Sequence, residues 1–254
     1  MKPTRSLLRG LQALEILARS PEPLGPTKLA GTTGLDKATA ARLLFTLAEA
    51  GFAQPLENGT YRLSSKLLEL AHTTPLALRL RDLARAHLLA LRDDTGETVH
   101  LGILEADHVV YIDKVDGTHP VRLVSAVGLP MPVHTTALGK AALAWMTDEA
   151  REVLLSELDL VPRTARSITT LDELRADLQT TRRRGFAIDD RENEEHACCV
   201  GAPILGAGDE VLAMVSLSGP SYRVGDQVTE LGNRCRQTAL RISEGASDRH
   251  GTAP

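Results

Sequence analysis

Two short stretches of this 254-residue chain carry groups with chemistry to offer. In the first, Lys37, Thr39 and Arg42 fall on or beside the exposed N-terminal part of a helix that Asp36 opens and Gly51 closes. Side chains placed there can reach base edges, and a helix entering the DNA major groove N-terminus first also favours phosphate. The second stretch, Gly128-Leu129-Pro130-Met131-Pro132-Val133-His134-Thr135-Thr136-Ala137-Leu138-Gly139-Lys140, is a Pro/Gly-rich loop running into a helix start. Free backbone N–H groups and the helix dipole at such a start suit a carboxylate. A plain loop capped by Thr135 or Thr136 has the same sequence pattern, and the two uses are compatible.

Other reactive types are sparse. Cys198, Cys199 and Cys235 cannot form a disulfide framework and suit a reducing compartment. On a strand, Cys198 and Cys199 point to opposite faces, so at most one of them meets a pocket. His100, His108, His119, His134 and His196 lack tight ligand spacing and read as ordinary polar or core residues. No phosphate loop, dinucleotide fingerprint or metalloprotease motif occurs. No metal, cofactor or catalytic set is therefore expected. Two alternatives stay open at this point: an enzyme or metabolite-binding protein with a vestigial head, and a thiol redox sensor through Cys198 and Cys199.

The elements that must position these groups are legible in outline. Ser6 to Arg19 is an amphipathic helix with Leu7, Leu11, Leu14 and Leu17 at helical spacing, Leu8 and Ile16 beside them, and Ser6 as its cap. A second helix opens at Pro26 and closes at Gly34. The third runs from Asp36 to Gly51 with Ala40, Leu43, Leu44 and Leu47 inward, and Phe45 reads as core. Two helices about a tight Gly34-Leu35 turn have helix-turn-helix dimensions. Two strand-like runs follow, around Ala53 and Tyr61, joined by Asn58-Gly59, a hairpin signature that makes a wing. Arg9, Lys28 and Arg62 are further phosphate candidates, each balanced against simple solvation.

From Pro75 the pattern changes to helices among short strands. The expected strands are Thr98 to Leu104, Val109 to Ile112, Val121 to Val124, Phe186 to Ile188, Cys199 to Leu205 and Val211 to Ser218. Helices are expected at Leu76 to Arg92, Thr136 to Met146, Thr170 to Arg184 and Val228 to Glu244. Successive hairpins with interposed helices predict an α/β fold with a largely antiparallel sheet. Composition agrees with a globular protein, at 43% hydrophobic and 24% charged residues with a net charge of −4. The charge is uneven: nine Lys/Arg against six Asp/Glu through His72, then twenty against twenty-seven. A basic head on an acidic body fits local DNA contact. No apolar run spans a membrane and no signal-peptide core is present, so a cytoplasmic protein is expected.

These residues resemble a known family. TGLDKATAARLLFTLAEAGF and NGTYRLSSKLLEL in the head, and GLPMPVHTTALGKAALA, TLDELRADLQTTRRRGFAIDDRENEEHACCVGAPI and VSLSGP in the body, are similar to the IclR family of bacterial regulators. The resemblance covers nearly the whole chain, in order. It implies a winged helix-turn-helix at 1–63, a linker helix at 64–75 and a GAF-like effector domain at 76–246, and the polar composition beyond them predicts a disordered tail at 247–254. It also implies a homodimer or dimer of dimers on a pseudopalindromic double-stranded operator, acting as a repressor that answers to a small carboxylate. The family's four effector elements fall here on Thr136 and Ala137 through backbone N–H, on Asp189, on Cys199, and on Ser216 and Ser218. Asp189 needs a ligand hydroxyl or its own protonation to coexist with a carboxylate. Aromatic content of 3% favours a sugar acid or short keto acid over an aromatic acid. Gly25-Pro26 departs from the usual start of the second helix.

Overall fold

In the computed structural model, which describes residues 3–67, 75–123 and 125–248, the chain separates into two units, Met1–Pro75 and Leu76–Pro254. The first holds α1 (Arg5–Arg19), α2 (Pro26–Thr33), α3 (Lys37–Glu49), β1 (Ala53–Pro55) and β2 (Tyr61–Leu63). Its turn is local chemistry: Gly34 closes α2 in the left-handed region at φ +69°, where a Cβ would be strained. Asp36 then caps α3 by accepting the Thr39 N–H at 2.8 Å. The core joins Ala13 and Leu17 of α1 to Leu29, Ala40, Leu44 and Leu47. Gln54 pairs with Arg62 in the antiparallel hairpin, and a bridge from Leu24 to Tyr61 adds a third chain segment to it.

Three expectations for this unit fail. The cap of α1 is Thr4, and Ser6 lies inside the helix. Only the C-terminal half of the α1 stripe is inward, since Leu7, Leu8 and Leu11 are exposed. Phe45 is 57% exposed and not core. The inward face of α3 is already filled by Leu44 and Leu47, and Phe45 is turned roughly 100° away from Leu44 by the helical period. Of the expected connector at 64–75, residues 68–74 lie outside the described residues, as do 249–254 of the expected tail, whose residues 247 and 248 instead end the last helix.

The second unit contains α4 (Pro75–Thr95), β3 (Thr98–Glu105), β4 (His108–Val115), β5 (Pro130–Pro132), α5 (Ala137–Trp145), α6 (Asp148–Glu157), α7 (Leu171–Arg184), β6 (Ala187–Asp190), β7 (Ala197–Leu205) and β8 (Val211–Pro220). It ends with α8 (Ser221–Val224), a 3₁₀ turn (Gly225–Gln227) and α9 (Val228–Asp248). The six strands are ordered β5-β4-β3-β8-β7-β6, and every neighbouring pair is antiparallel. The chain is thus α/β with an antiparallel sheet.

Strand alternation sorts the side chains into two layers. Val99, Leu101, Cys198, Val200, Ala202, Val215 and Leu217 face one core with Leu80, Ala84, Leu88 and Leu91 of α4 and Leu231, Cys235 and Ile242 of α9. The other face meets α5 and α7, with Ala187 and Met214 packed on Leu138, Ala141, Leu174 and Leu178. On this side β7 comes so close to α5 that a Cβ on Gly201 would lie 2.8 Å from the Ala137 carbonyl carbon. A side chain there would push the helix start off the sheet.

The run at 121–123 forms no strand among the described residues. Pro120 precedes it without an N–H to donate, and the Val121 carbonyl instead accepts from Arg223 at 3.2 Å. Val124 lies outside the described residues. The Pro/Gly loop supplies the edge strand β5, paired to β4 from His108↔Pro132 to Val110↔Pro130, an edge position that tolerates proline. Helix α6, unforeseen, is capped by Thr147. Among the described residues no helix is long and apolar enough to cross a membrane.

Candidate functional site

The sheet register brings five strands' worth of polar side chains onto the α5 face. Asp189 pairs with Cys199, Cys199 with Ser218, Gly201 with Ser216 and Ser216 with His100. The row Asp189, Cys199, Ser218, Ser216, His100 is therefore one continuous polar strip, and Tyr111 of β4 stacks on His100 at 4.6 Å with 25° between the rings. Above this strip sits the N-terminus of α5, and between them lies a cavity of about 190 Å³. All six expected effector residues line it: Thr136, Ala137, Asp189, Cys199, Ser216 and Ser218.

Their hydrogen bonding differs in ways that matter. The Thr136 hydroxyl is already used, donating to the Pro132 carbonyl at 2.7 Å and accepting the Gly139 N–H at 3.1 Å. The backbone N–H groups of Ala137 and Leu138 make no hydrogen bond among the described residues. They are the unspent donors of a helix N-terminus and point the anion preference at the backbone, not at the threonine side chain. Cys199 and Ser218 share a hydrogen bond at 3.0 Å, whereas the Ser216 hydroxyl has no partner among the described residues.

Asp189 is 2% exposed, and one carboxylate oxygen accepts the backbone N–H groups of Glu192 at 2.8 Å and Asn193 at 3.2 Å. Burial above all, then the Glu192 carboxylate, pushes its pKa up to about 7 against those hydrogen bonds and Lys140. Near neutrality Asp189 can therefore offer a proton to an oxyanion. His100 goes the other way: burial, with help from Lys114, lowers its pKa to about 3, so the ring is neutral. Its Nε2 meets the Ser125 hydroxyl at 2.7 Å, while its Nδ1 is buried without a partner. Arg163 is the one Lys or Arg lining the cavity among the described residues, and its Nε donates to the Asn193 carbonyl at 3.3 Å.

Behind the cavity stands a charge that sequence reading passed over. Lys140 of α5 is fully buried, with Nζ 2.6 Å from Glu192 and 3.3 Å from Asp177 of α7. Glu192 is also the residue whose N–H holds Asp189. The Thr164 and Ser167 hydroxyls donate to the Arg191 and Glu192 carbonyls, both at 2.7 Å, and fasten the same loop. His100, Tyr111, Ser125, Arg163 and Asn193 were likewise missed as lining residues. Strand register, which sequence does not print, brings His100 and Tyr111 to the strip, and loops bring Ser125, Arg163 and Asn193.

The thiol alternatives find no support in this geometry. Cys198 faces the α4/α9 core while Cys199 faces the cavity, so the two sulfurs lie on opposite sides of the sheet. Burial pushes Cys198 up to about 12 and Cys199 well above its ordinary value, which leaves neither as a thiolate. Among the described residues no cluster of His, Cys, Asp and Glu could hold a metal. A wider groove of about 1020 Å³ by Trp145 has four of its charges engaged with one another, Arg175 with Glu152 and Arg151 with Asp148.

The DNA-contact candidates are all on the head. Lys28, Lys37 and Arg42 are exposed on α2 and α3 and form no ion pair among the described residues. Arg9 is exposed on α1, and Arg62 is held by Gln54 across the hairpin at 2.8 Å. The Thr39 hydroxyl donates to the Asp36 carboxylate at 2.7 Å, which ties it to the cap.

The chain matches two family models, "Bacterial transcriptional regulator IclR C-terminal" over residues 74–244 and "IclR helix-turn-helix domain" over residues 6–57. It is 34% identical to the HTH-type transcriptional regulator XynR of Escherichia coli (strain K12) over 241 residues, covering 94% of this chain and 96% of that one. It is 33% identical to the transcriptional repressor IclR of the same organism over 243 residues, with 94% and 89% covered. A solved IclR homolog from Microbacterium hydrocarbonoxydans, complexed with 4-hydroxybenzoate, superposes with a TM-score of 0.80 at 25% identity, covering 97% of this chain and 100% of that one.

Proposed function

The chain belongs to the IclR family of bacterial transcriptional regulators, DNA-binding proteins and not enzymes, and on that premise we propose that it is a repressor whose operator affinity is set by a small carboxylate bound between α5 and the sheet. The observation that carries this reading is the pairing of two unspent backbone donors at Ala137 and Leu138 with a buried strip of neutral and protonatable groups. The donors take the carboxylate, and Asp189, Ser216 and Ser218 take its remaining oxygens. A strip this rich in hydroxyls fits a sugar acid or short keto acid better than an aromatic acid. The 4-hydroxybenzoate complex of the relative makes the aromatic acid the comparison ligand.

In this reading residues 1–63 are the DNA-binding domain, 64–75 the connector and 76–246 the effector domain. Lys37 and Arg42 reach base edges, while Arg9, Lys28 and Arg62 meet phosphate. A homodimer or dimer of dimers places two heads on half-sites about one helical turn, or a multiple of it, apart. A thermal-shift screen of small carboxylates on the full chain tests the effector half, since a ligand at 100 times its Kd stabilises by about 2.7 kcal/mol. Sugar and keto acids raising the melting temperature of wild type but not of Ser216→Ala/Ser218→Ala is the expected result. Equal shifts in both proteins would place the ligand elsewhere.

A further inference from the structure

Phe45 has no structural reason to be where it is. Of the three phenylalanines, Phe186 is 1% exposed and Phe52 packs against the head core, but Phe45 stands 57% exposed on α3. It belongs to the outward face of that helix. Ala40, Leu44 and Leu47 are buried, and the roughly 100° step per residue then puts Ala38, Arg42, Phe45 and Glu49 on the opposite side. Each of those four is exposed. Arg42 and Phe45, three positions apart, are surface neighbours.

We infer that Phe45 is a specificity-determining residue that reads the C5-methyl group of a thymine in the operator half-site. The inference rests on the DNA-binding role of the head and adds a base to it. Thymine is the one base that offers an apolar group in the major groove, and a phenyl ring is among the side chains that meet it. Phe45 lies about 12 Å along the axis from Lys37, within a helix face that can follow about four base-pair steps of 3.4 Å. The Arg42–Phe45 offset of about 4.5 Å places that thymine one to two base pairs from the base Arg42 reaches. Exposed Arg42 supplies the charge that brings this face to DNA, exposed Lys37 adds charge at the helix start, and Glu49 marks where the acidic end of the face begins.

The test needs no knowledge of the natural operator. The full chain selects its preferred sites from a random duplex library at low salt, and each invariant thymine is then replaced by deoxyuridine, which lacks only the methyl. Loss of one apolar carbon contact predicts about fourfold weaker binding of wild type per half-site. Phe45→Ala should bind more weakly and no longer distinguish thymine from deoxyuridine, while Arg42→Ala should bind weakly and still distinguish them. Wild type indifferent to every methyl, or a selected half-site without an invariant thymine, overturns the inference and leaves the DNA-binding reading standing. A selection that enriches no sequence defeats both. If Phe45→Ala keeps its methyl discrimination and instead changes the mass measured by sedimentation, the ring covers a second copy of this chain and the inference is wrong.

Discussion

The head and the body put their working side chains in opposite places. In the head, Lys37, Arg42 and Lys28 project from a small core into solvent and form no ion pair among the described residues. In the body, Asp189, Ser216, Ser218 and His100 are each 5% exposed or less and belong to the sheet that holds the domain together. Function and stability are therefore separable in one region and shared in the other. A phosphate or base edge arrives from outside and supplies the missing partner, so an exposed cation costs the free head little. A small ligand has to be enclosed, so its partners are desolvated before it comes, and each must be held by something.

Lys140→Met should be the most damaging single change. It strands the buried Glu192 carboxylate and leaves the half-buried Asp177 without its cation, at a cost of about 3–5 kcal/mol. Chemical denaturation should show the loss, and adding Glu192→Gln should recover part of it by removing one uncompensated charge. A stable Lys140→Met would mean that the loop holding Asp189 does not depend on the ion pair. Arg42→Ala marks the other pole. Operator binding should weaken by about 1–3 kcal/mol, while stability stays within about 0.5 kcal/mol of wild type. Fluorescence anisotropy with a selected operator, run beside a melting curve, would break the contrast if the melting temperature fell instead.

The same contrast decides what could be read from sequence. The head is assembled from neighbours: Gly34, Asp36 and Asn58-Gly59 act within a few residues, so turn, cap and wing were legible. Even so, periodicity over-read α1, because it marks every apolar position and does not say how much partner surface is available to cover Leu7, Leu8 and Leu11. In the body, Thr170 and Gly185 bound α7 legibly for the same local reason. The run from Val121 suits a strand by residue type, yet strand formation needs a neighbouring backbone, and Pro120 and Arg223 remove it. The anion-friendly helix start at Thr136 was legible from its own loop, while Ala137, Asp189, Cys199, Ser216 and Ser218 came from family resemblance. His100 and Tyr111 did not, because their place depends on which strands pair, and Lys140 was hidden because a lysine at helical spacing reads as solvent-facing.

Asp189 offers an intermediate test through pH. Its folded pKa is raised from 3.8 to about 7, so the folded protein holds a proton that the unfolded chain gives up. Its stabilising contribution is full below about pH 4 and is lost as pH rises through about 7. Affinity for a carboxylate should follow the same sign, falling up to about tenfold per pH unit above 7 as a second negative charge appears beside the ligand. Asp189→Asn should flatten the affinity profile in calorimetric titrations between pH 6 and 8, roughly one unit either side of that midpoint, and remove the fall in stability that Asp189 contributes over that range. His100, neutral in the folded protein throughout this window, adds no slope to the affinity, although its unfolded value of 6.5 gives stability a rise with pH up to about 7. A wild-type profile that is flat would mean the ligand meets Asp189 through a hydroxyl.

The smallest expected effect is also the sharpest, because it compares two serines on one strand. Ser218 already has Cys199 at 3.0 Å, and Ser216 has no partner among the described residues. Removing Ser218 leaves the thiol facing an empty space where its hydrogen bond was, so Ser218→Ala should cost both stability and affinity. Removing Ser216 breaks no bond in the free protein. Ser216→Ala should leave the melting temperature unchanged and weaken effector binding by about 0.5–1.5 kcal/mol, the net worth of one hydrogen bond. If Ser216→Ala lowers stability, the hydroxyl serves the sheet and the strip has no side-chain hydroxyl reserved for ligand. If it changes affinity alone, the buried strip contains one position that behaves as Arg42 does in the head, a donor left open until its partner arrives.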